Sequence, residues 1–348
     1  MVSFLPLRLS KGITKLHEDF YKDIYKEEFE LKNNTLKSKI FPNLIVITGP
    51  TATGKTAFAA QLAAKLNGEI ISADSRQVYR GMDLATGKDF RDYIVNNQTI
   101  PYHLVDILDP GYEYNVFEFQ QDFLKIYDEI LKRGKMPVLA GGTGMYIESV
   151  LKGYRLIDVP VDENLRNKLN QQDQLQLVNS LEAYKIPHNI TDTEDRSRLI
   201  RAIEIQEYYK SNPELSLSFP KIRSVIFGIH FERKIIRERI TQRLKERLDA
   251  GMENEVKELL DKGLTPEQLK FYGLEYRYLT QYVTGELSYD EMFTLLNTAI
   301  HQFAKRQKTW FRKMERNGFE FNWIDGELNM AEKVDMAMSI LEKKKKKT

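Results

Sequence analysis

Eight consecutive residues, Gly49-Pro50-Thr51-Ala52-Thr53-Gly54-Lys55-Thr56, follow the spacing G-x-x-x-x-G-K-[ST]. Two glycines let the backbone turn its N–H groups around an anion, the lysine adds a point charge, and the last hydroxyl is placed to ligate Mg2+. The chemistry this allows is the binding of a diphosphate or triphosphate group. The motif is diagnostic only between a strand and a helix. Both flanks agree: Leu44-Ile45-Val46-Ile47 is a short β-branched run, and Phe58, Leu62 and Leu66 fall at helical spacing within Thr56 to Leu66.

Phosphate binding leaves the reaction open. Most P-loop proteins move the terminal phosphoryl group of a nucleotide, and Asp106 or Asp109 could then hold Mg2+. Asp74 is better placed for chemistry, because it closes the run Glu69-Ile70-Ile71-Ser72 and should face the same crevice as the P-loop. A helix cap or a turn is the other reading of Asp74. Gly141-Gly142-Thr143-Gly144 brings bare backbone and one hydroxyl to the end of a further strand, with a tight turn as the alternative.

The elements that must position these groups alternate. His103 to Ile107 and Pro137 to Ala140 read as further strands, with a helix from Val116 to Arg133 before the last. This is the pattern of an α/β fold, a doubly wound parallel sheet that binds ligands at the carboxyl ends of its strands. Beyond Gly153, residues 162–212 are helical in pattern, Val225 to Ile229 is one more strand, and Arg233 to Arg316 is helical again. The expected organisation is an extension over 1–40, with a helix near Ile13 to Leu31, and then a P-loop α/β core over 41–155. A strand at 223–231 and a helix at about 290–314 continue that core. Helical additions occupy 156–212 and 233–289, and 330–348 is a basic tail whose lysine run, Lys343 to Lys347, should stay solvated.

Composition narrows the class. The chain has 348 residues, 42% hydrophobic and 29% charged, enough for a substantial core. It has no cysteine, which excludes disulfides, thiolate metal sites and thiol nucleophiles. No apolar run reaches the length of a membrane span, so the expected location is the cytoplasm. The net charge is only +2, but residues 196–316 hold 23 lysines and arginines against 17 acidic residues, a bias that suits a polyanion.

Six segments together resemble one family, the tRNA dimethylallyltransferases (isopentenyl-tRNA transferases). They are the P-loop; Asp74-Ser75-Arg76-Gln77-Val78-Tyr79-Arg80-Gly81-Met82-Asp83; His103 to Pro110; Gly141-Gly142-Thr143-Gly144-Met145-Tyr146; Arg198-Leu199-Ile200-Arg201-Ala202-Ile203-Glu204; and Lys305-Arg306-Gln307-Lys308-Thr309-Trp310-Phe311-Arg312. The resemblance implies transfer of a dimethylallyl group from its diphosphate to N6 of the adenine 3′-adjacent to the anticodon in tRNA. The cradle of Gly49, Pro50, Thr51, Ala52, Thr53, Gly54, Lys55 and Thr56 would hold the leaving diphosphate, with Mg2+ on Thr56.

Asp74 then looks like the base that takes the N6 proton, with Thr143 steadying it and Lys55 stabilising the departing charge. The residues implied to meet the tRNA anticodon stem-loop are Asp74, Ser75, Arg76, Gln77, Thr143, Arg166, Arg198, Arg201, Tyr272, Gly273, Tyr276, Lys305, Arg306, Gln307 and Arg312. Trp310 and Phe311 fit a core better. By the same analogy the protein is a monomer. Three segments depart from the pattern, of which Asp83 to Lys88 is a tolerable variation. The family carries I-G-Y-[KR]-[EQ] where this chain has Tyr272-Gly273-Leu274-Glu275-Tyr276, and an arginine where it has His301, which cannot supply a permanent charge. A P-loop kinase using ATP on a small molecule is the competing reading, and a non-catalytic RNA-binding protein the third.

Overall fold

The computed structural model describes residues 42–154, 156–184, 195–213 and 219–346. The helix expected near Ile13 to Leu31 lies outside them. The described residues form two compact units, one from 42–152 with 221–346 and one from 153–220.

The larger unit is built on six parallel strands in the order β5-β2-β6-β1-β7-β8. These are β1 (Leu44–Thr48), β2 (Gly68–Ser72), β5 (Tyr102–His103), β6 (Met136–Gly141), β7 (Ser224–His230) and β8 (Phe321–Asp325). A small antiparallel pair, β3 (Ile94–Val95) and β4 (Gln98–Thr99), stands apart. Every residue of β1 and β2 is buried, as a parallel sheet covered on both faces requires. Helix α1 (Lys55–Leu66) lies on one face with Phe58 and Leu62 fully buried. On it packs α12 (Met330–Lys346), whose Val334, Ala337 and Leu341 join Ile45, Ile47, Ile70 and Phe227 in one core. Helices α2 (Val116–Lys132) and α3 (Gly144–Leu151) pack together, with Phe119 stacked on Tyr146 at 4.1 Å between ring centres.

Two expectations need correction here. Residues 330–346 are not an unstructured tail: they form a helix, Met330–Lys346, whose Lys343, Lys345 and Lys346 are exposed as expected while Lys344 reaches Glu320 at 2.7 Å. The strand expected over His103 to Ile107 stops after His103, because Leu104 and Asp106 take left-handed backbone angles, φ 61° and 53°. Asp106 is thereby turned onto Lys88, and Asp109 pairs with Arg80 at 2.9 Å, so neither carboxylate is offered to a metal at the P-loop.

The helices of the larger unit's second half are α7 (Arg233–Asp249), α8 (Met252–Asp261), α9 (Pro266–Phe271), α10 (Leu274–Val283) and α11 (Tyr289–Arg316). Glu255 of α8 ties them to the segment after β2. Its carboxylate accepts from the backbone N–H groups of Asp83, Leu84 and Ala85 at 2.7, 2.7 and 3.1 Å, and from the Tyr276 hydroxyl at 2.5 Å. Glu255→Ala removes the acceptor of four partly buried donors at once, and we expect a loss of about 3 kcal/mol in unfolding free energy, read as a fall in the urea midpoint.

The smaller unit packs α4 (Glu163–Leu169), α5 (Gln174–Glu182) and α6 (Arg196–Ser211) around Leu169, Leu177, Leu181, Leu199, Ile200 and Ile203. Glu204 is buried among them and is held by a fork from Arg166, at 3.1 and 3.0 Å, and by Arg201. Burial opposes ionisation of Glu204, but these two guanidinium groups and the N–H of Asp162 prevail and keep its carboxyl below the usual range.

Candidate active site

Adjacent parallel strands place the reactive groups side by side. The P-loop leaves β1, Thr143 follows β6 on one side of it, and Asp74 follows β2 beyond that. The turn at the end of β1 is specific. A Cβ at Gly49 would lie 2.6 Å from the carbonyl oxygen of Ile229 in β7, so only glycine lets the loop start this close to the sheet. Thr53 Oγ1 and Lys55 Nζ both donate to the Pro50 carbonyl, at 2.9 and 2.7 Å, and Gly54 caps α1 in the left-handed region. The loop is therefore preshaped, with the N-terminus of α1 directed at its centre.

Asp74 and Thr143 are fixed by the same few atoms. Asp74 Oδ1 accepts from the backbone N–H of Arg76 at 3.0 Å, while Thr143 Oγ1 accepts from the N–H of Ser75 at 3.2 Å. The ends of β2 and β6 approach so closely that a Cβ at Gly141 would overlap the carbonyl of Ala73. Across from them, Gln307 of α11 is buried and bridges two loops. Its Oε1 accepts from Thr51 N–H and its Nε2 donates to Gly142 O, each at 2.9 Å.

The loop from Pro50 to Thr56, Asp74, Thr143 and Gln307 all border one cavity of about 2630 Å3 in the larger unit. Its wall includes Lys55, Thr56, Asp74, Thr143, Arg243 and Trp310. Small-molecule sites usually hold roughly 300–1,000 Å3, so this cavity has room for a second, larger reactant. Burial and the charge of Arg243 lower the pKa of Lys55 to about 8, against a smaller opposing pull from Asp74. The Thr56 hydroxyl lines the cavity with no protein partner among the described residues, which suits it to a cation shared with phosphate oxygens. No cluster of three or more acidic or histidine side chains exists among the described residues to bind a metal by itself.

The residues expected at RNA separate into groups. Ser75, Arg76, Gln77, Tyr272, Gly273, Lys305, Arg306 and Arg312 line the cavity, as do Asp74 and Thr143. Arg76 lies 5.3 Å over the exposed ring of Phe271, and Arg306 lies 5.9 Å over that of Phe303, so planar cationic and aromatic surfaces meet at the wall. Gln307 also lines it, but both ends of its amide are committed within the protein. Tyr276 is buried and spends its hydroxyl on Glu255. Arg166 and Arg201, in the smaller unit, are clasped to Glu204, whereas Arg198 leaves most of its side chain in solvent. Phe311 is core, as expected; Trp310 is not, for it forms cavity wall against Gly144.

His301 sits beside Thr241, at 3.1 Å, and burial together with Arg237 lowers its pKa, so it is neutral at physiological pH. Sequence reasoning passed over Arg239, Arg243 and Arg247 of α7, which line the cavity. Their signal was the four-residue spacing of three arginines, which stacks them on one helix face.

A phosphate cradle and a carboxylate sharing a cavity of this size define a P-loop α/β protein of the group-transfer kind, not a bare nucleotide switch. The comparisons with known proteins agree on which one. The IPP transferase model matches residues 77–314 and the isopentenyl transferase model residues 42–100, and the chain belongs to the IPP transferase family. A tRNA dimethylallyltransferase 2 from Bacteroides fragilis is 59% identical over 84% of this chain and 96% of its own length. One from Phocaeicola vulgatus is 58% identical over 87% of this chain and 98% of its own. The solved tRNA isopentenylpyrophosphate transferase of Bacillus halodurans is similar at 32% identity and a TM-score of 0.63, over 87% of this chain and 98% of that one.

Proposed function

We propose that this chain transfers the dimethylallyl group of dimethylallyl diphosphate to N6 of the adenine 3′-adjacent to the anticodon in tRNA, releasing diphosphate. The observation that carries the reading is the opening of Asp74 and the P-loop into one cavity. The allylic C–O bond breaks and its electron pair stays with the diphosphate. The backbone N–H groups of 52–56, the N-terminus of α1 and Lys55 spread that charge. The adenine amine is a weak nucleophile because its lone pair is delocalised; Asp74 takes its proton as the C–N bond forms. Thr143, held by Ser75 N–H, keeps the loop of Asp74 in register with the end of β6. Thr56 would hold Mg2+, which when bound adds a further positive charge on the diphosphate.

The target base must leave its stack to reach this depth, and the planar side chains at the wall, Phe271 with Arg76 and Phe303 with Arg306, suit an unstacked loop. We take the protein to work in the cytoplasm as a monomer; no helix among the described residues is long and apolar enough to cross a membrane. The kinase alternative is not favoured, since the relatives of high identity are tRNA dimethylallyltransferases.

Incubation with undermodified tRNA, labelled dimethylallyl diphosphate and Mg2+ tests the proposal. Label should enter tRNA in a one-to-one ratio with released diphosphate. ATP turnover without label in tRNA would support the kinase, and tRNA binding with neither would leave a binding protein.

A further inference from the structure

Lys88 closes the segment that begins at Asp74, and its side chain is withdrawn from solvent, 1% exposed. A buried ammonium must find acceptors for its three protons inside the protein. Lys88 Nζ donates to the Tyr79 carbonyl at 2.6 Å and to Asp106 Oδ1, and Asp83 Oδ1 stands 2.6 Å from it. Tyr79 and Asp83 belong to the segment itself, so the lysine folds the segment back on its own chain. Asp106 comes from the turn after β5, so the same group also fastens the segment to the edge of the sheet.

Asp106 reaches Lys88 at a cost. Leu104 and Asp106 both hold left-handed backbone angles, φ 61° and 53°, which residues with a Cβ adopt only when their surroundings enforce them. The turn so shaped meets the segment along its backbone: Asp106 N–H donates to the Gln77 carbonyl at 3.1 Å, Ile107 N–H to that of Val78 at 2.8 Å, and Arg80 N–H to that of Leu108 at 2.8 Å. Gln77 is steadied a second time, since its Nε2 donates to the carbonyl of Gly87, one residue before Lys88, at 3.4 Å. The strip from Asp74 to Tyr79 is therefore tied at both ends. Thr143 holds it at Ser75 N–H, and Lys88 with Asp106 holds it at Gln77 and Tyr79.

We propose that Lys88 is a positioning residue for prenyl transfer, clasping Tyr79, Asp83 and Asp106 so that Asp74 and Gln77 stand at fixed places on the cavity wall. Its ammonium is spent within the protein and is not offered to a reactant. It acts through the Tyr79 carbonyl and through Asp106, whose backbone holds Gln77. The role rests on the prenyl-transfer reading, because transfer is the step that it positions.

The test compares the full wild-type chain with Lys88→Met, Asp106→Ala, their double variant and Asp106→Asn, by single-turnover transfer at saturating anticodon stem-loop, pyrophosphate binding and thermal midpoint. Lys88→Met and Asp106→Ala should each slow transfer by about 10- to 10²-fold, the effect of misplacing a reacting group by about an ångström. Pyrophosphate should bind within about twofold of wild type, since Lys88 bonds to Tyr79 and Asp106 and not to the P-loop. The double variant should be no slower than the worse single one, as expected of two members of one clasp. Asp106→Asn keeps both the backbone N–H for Gln77 and an oxygen for Lys88, and should stay within about threefold of wild type. A lower thermal midpoint with an unchanged rate per folded molecule would make the clasp structural only and overturn the proposal, as would losses that add in the double variant. Should Lys88→Met fail to fold, Asp106→Ala decides alone at a side chain 31% exposed, and a rate within twofold of wild type overturns the role. A wild-type chain that moves no prenyl group to RNA would instead defeat the prenyl-transfer reading itself.

Discussion

Asp74→Asn is expected to slow transfer of the dimethylallyl group by about 10²- to 10⁴-fold while leaving the anticodon stem-loop bound, because it removes a proton acceptor and almost nothing else. The amide keeps the size of the carboxylate and an oxygen for the Arg76 N–H, which Asp74 Oδ1 accepts at 3.0 Å. The turn between β2 and Thr143 therefore persists. What disappears is the negative charge beside the cavity where the N6 proton must go. Single-turnover transfer with saturating tRNA is the measurement that isolates this step. A variant rate within threefold of wild type would remove Asp74 from the chemistry and return it to the role of a turn residue.

Lys55→Met is expected to weaken pyrophosphate binding and to lower prenyl transfer by about 10²- to 10³-fold, the usual effect of deleting one preorganised donor from a developing anion. The wild-type lysine also predicts a pH dependence. Its pKa is lowered from 10.5 to about 8 by burial and by Arg243, so the empty protein loses this charge as pH rises through 8. Pyrophosphate affinity should fall by up to about tenfold per unit above that point, a decline absent from the variant. Stability moves the other way. Between pH 8 and 10.5 the unfolded chain holds a proton that the folded one has released, so this group makes the empty protein more stable as pH rises across that window. Calorimetric titration at pH 7, 8 and 9 decides the matter: a flat wild-type affinity would show that Lys55 is not the titrating cation of the cradle.

Much of the site was legible because its constraints are local. A P-loop needs two glycines, a lysine and a hydroxyl at set intervals, and 49–56 displays them between an apolar strand and an amphipathic helix. Asp74 and Thr143 could be placed because parallel strands bring their C-terminal ends to one edge. The rest depended on distant partners. Nothing local shows that Leu104 and Asp106 turn left-handed and end β5 after two residues. The strand β8 was hidden because Phe321-Asn322-Trp323-Ile324-Asp325 mixes polar and apolar residues and pairs only with β7, far back in sequence. The arginines of α7 belong to no motif, and only the close approach of Gly87 and the packing of α7 on α8 and α11 set that face against the cavity. Arg166 and Arg201 erred in the opposite direction. As sequence they were free cations, but Glu204 closes on both.

Gln307 carries a further consequence. One carboxamide links the longest helix among the described residues to the P-loop at Thr51 and to the turn before Thr143. Lys305, Arg306 and Arg312 ride on that same rigid rod. On the proposed reading, an anticodon loop docked on those side chains would load the two bonds that hold Thr51 and Gly142, and α11 would act as a lever between the macromolecular and the small reactant.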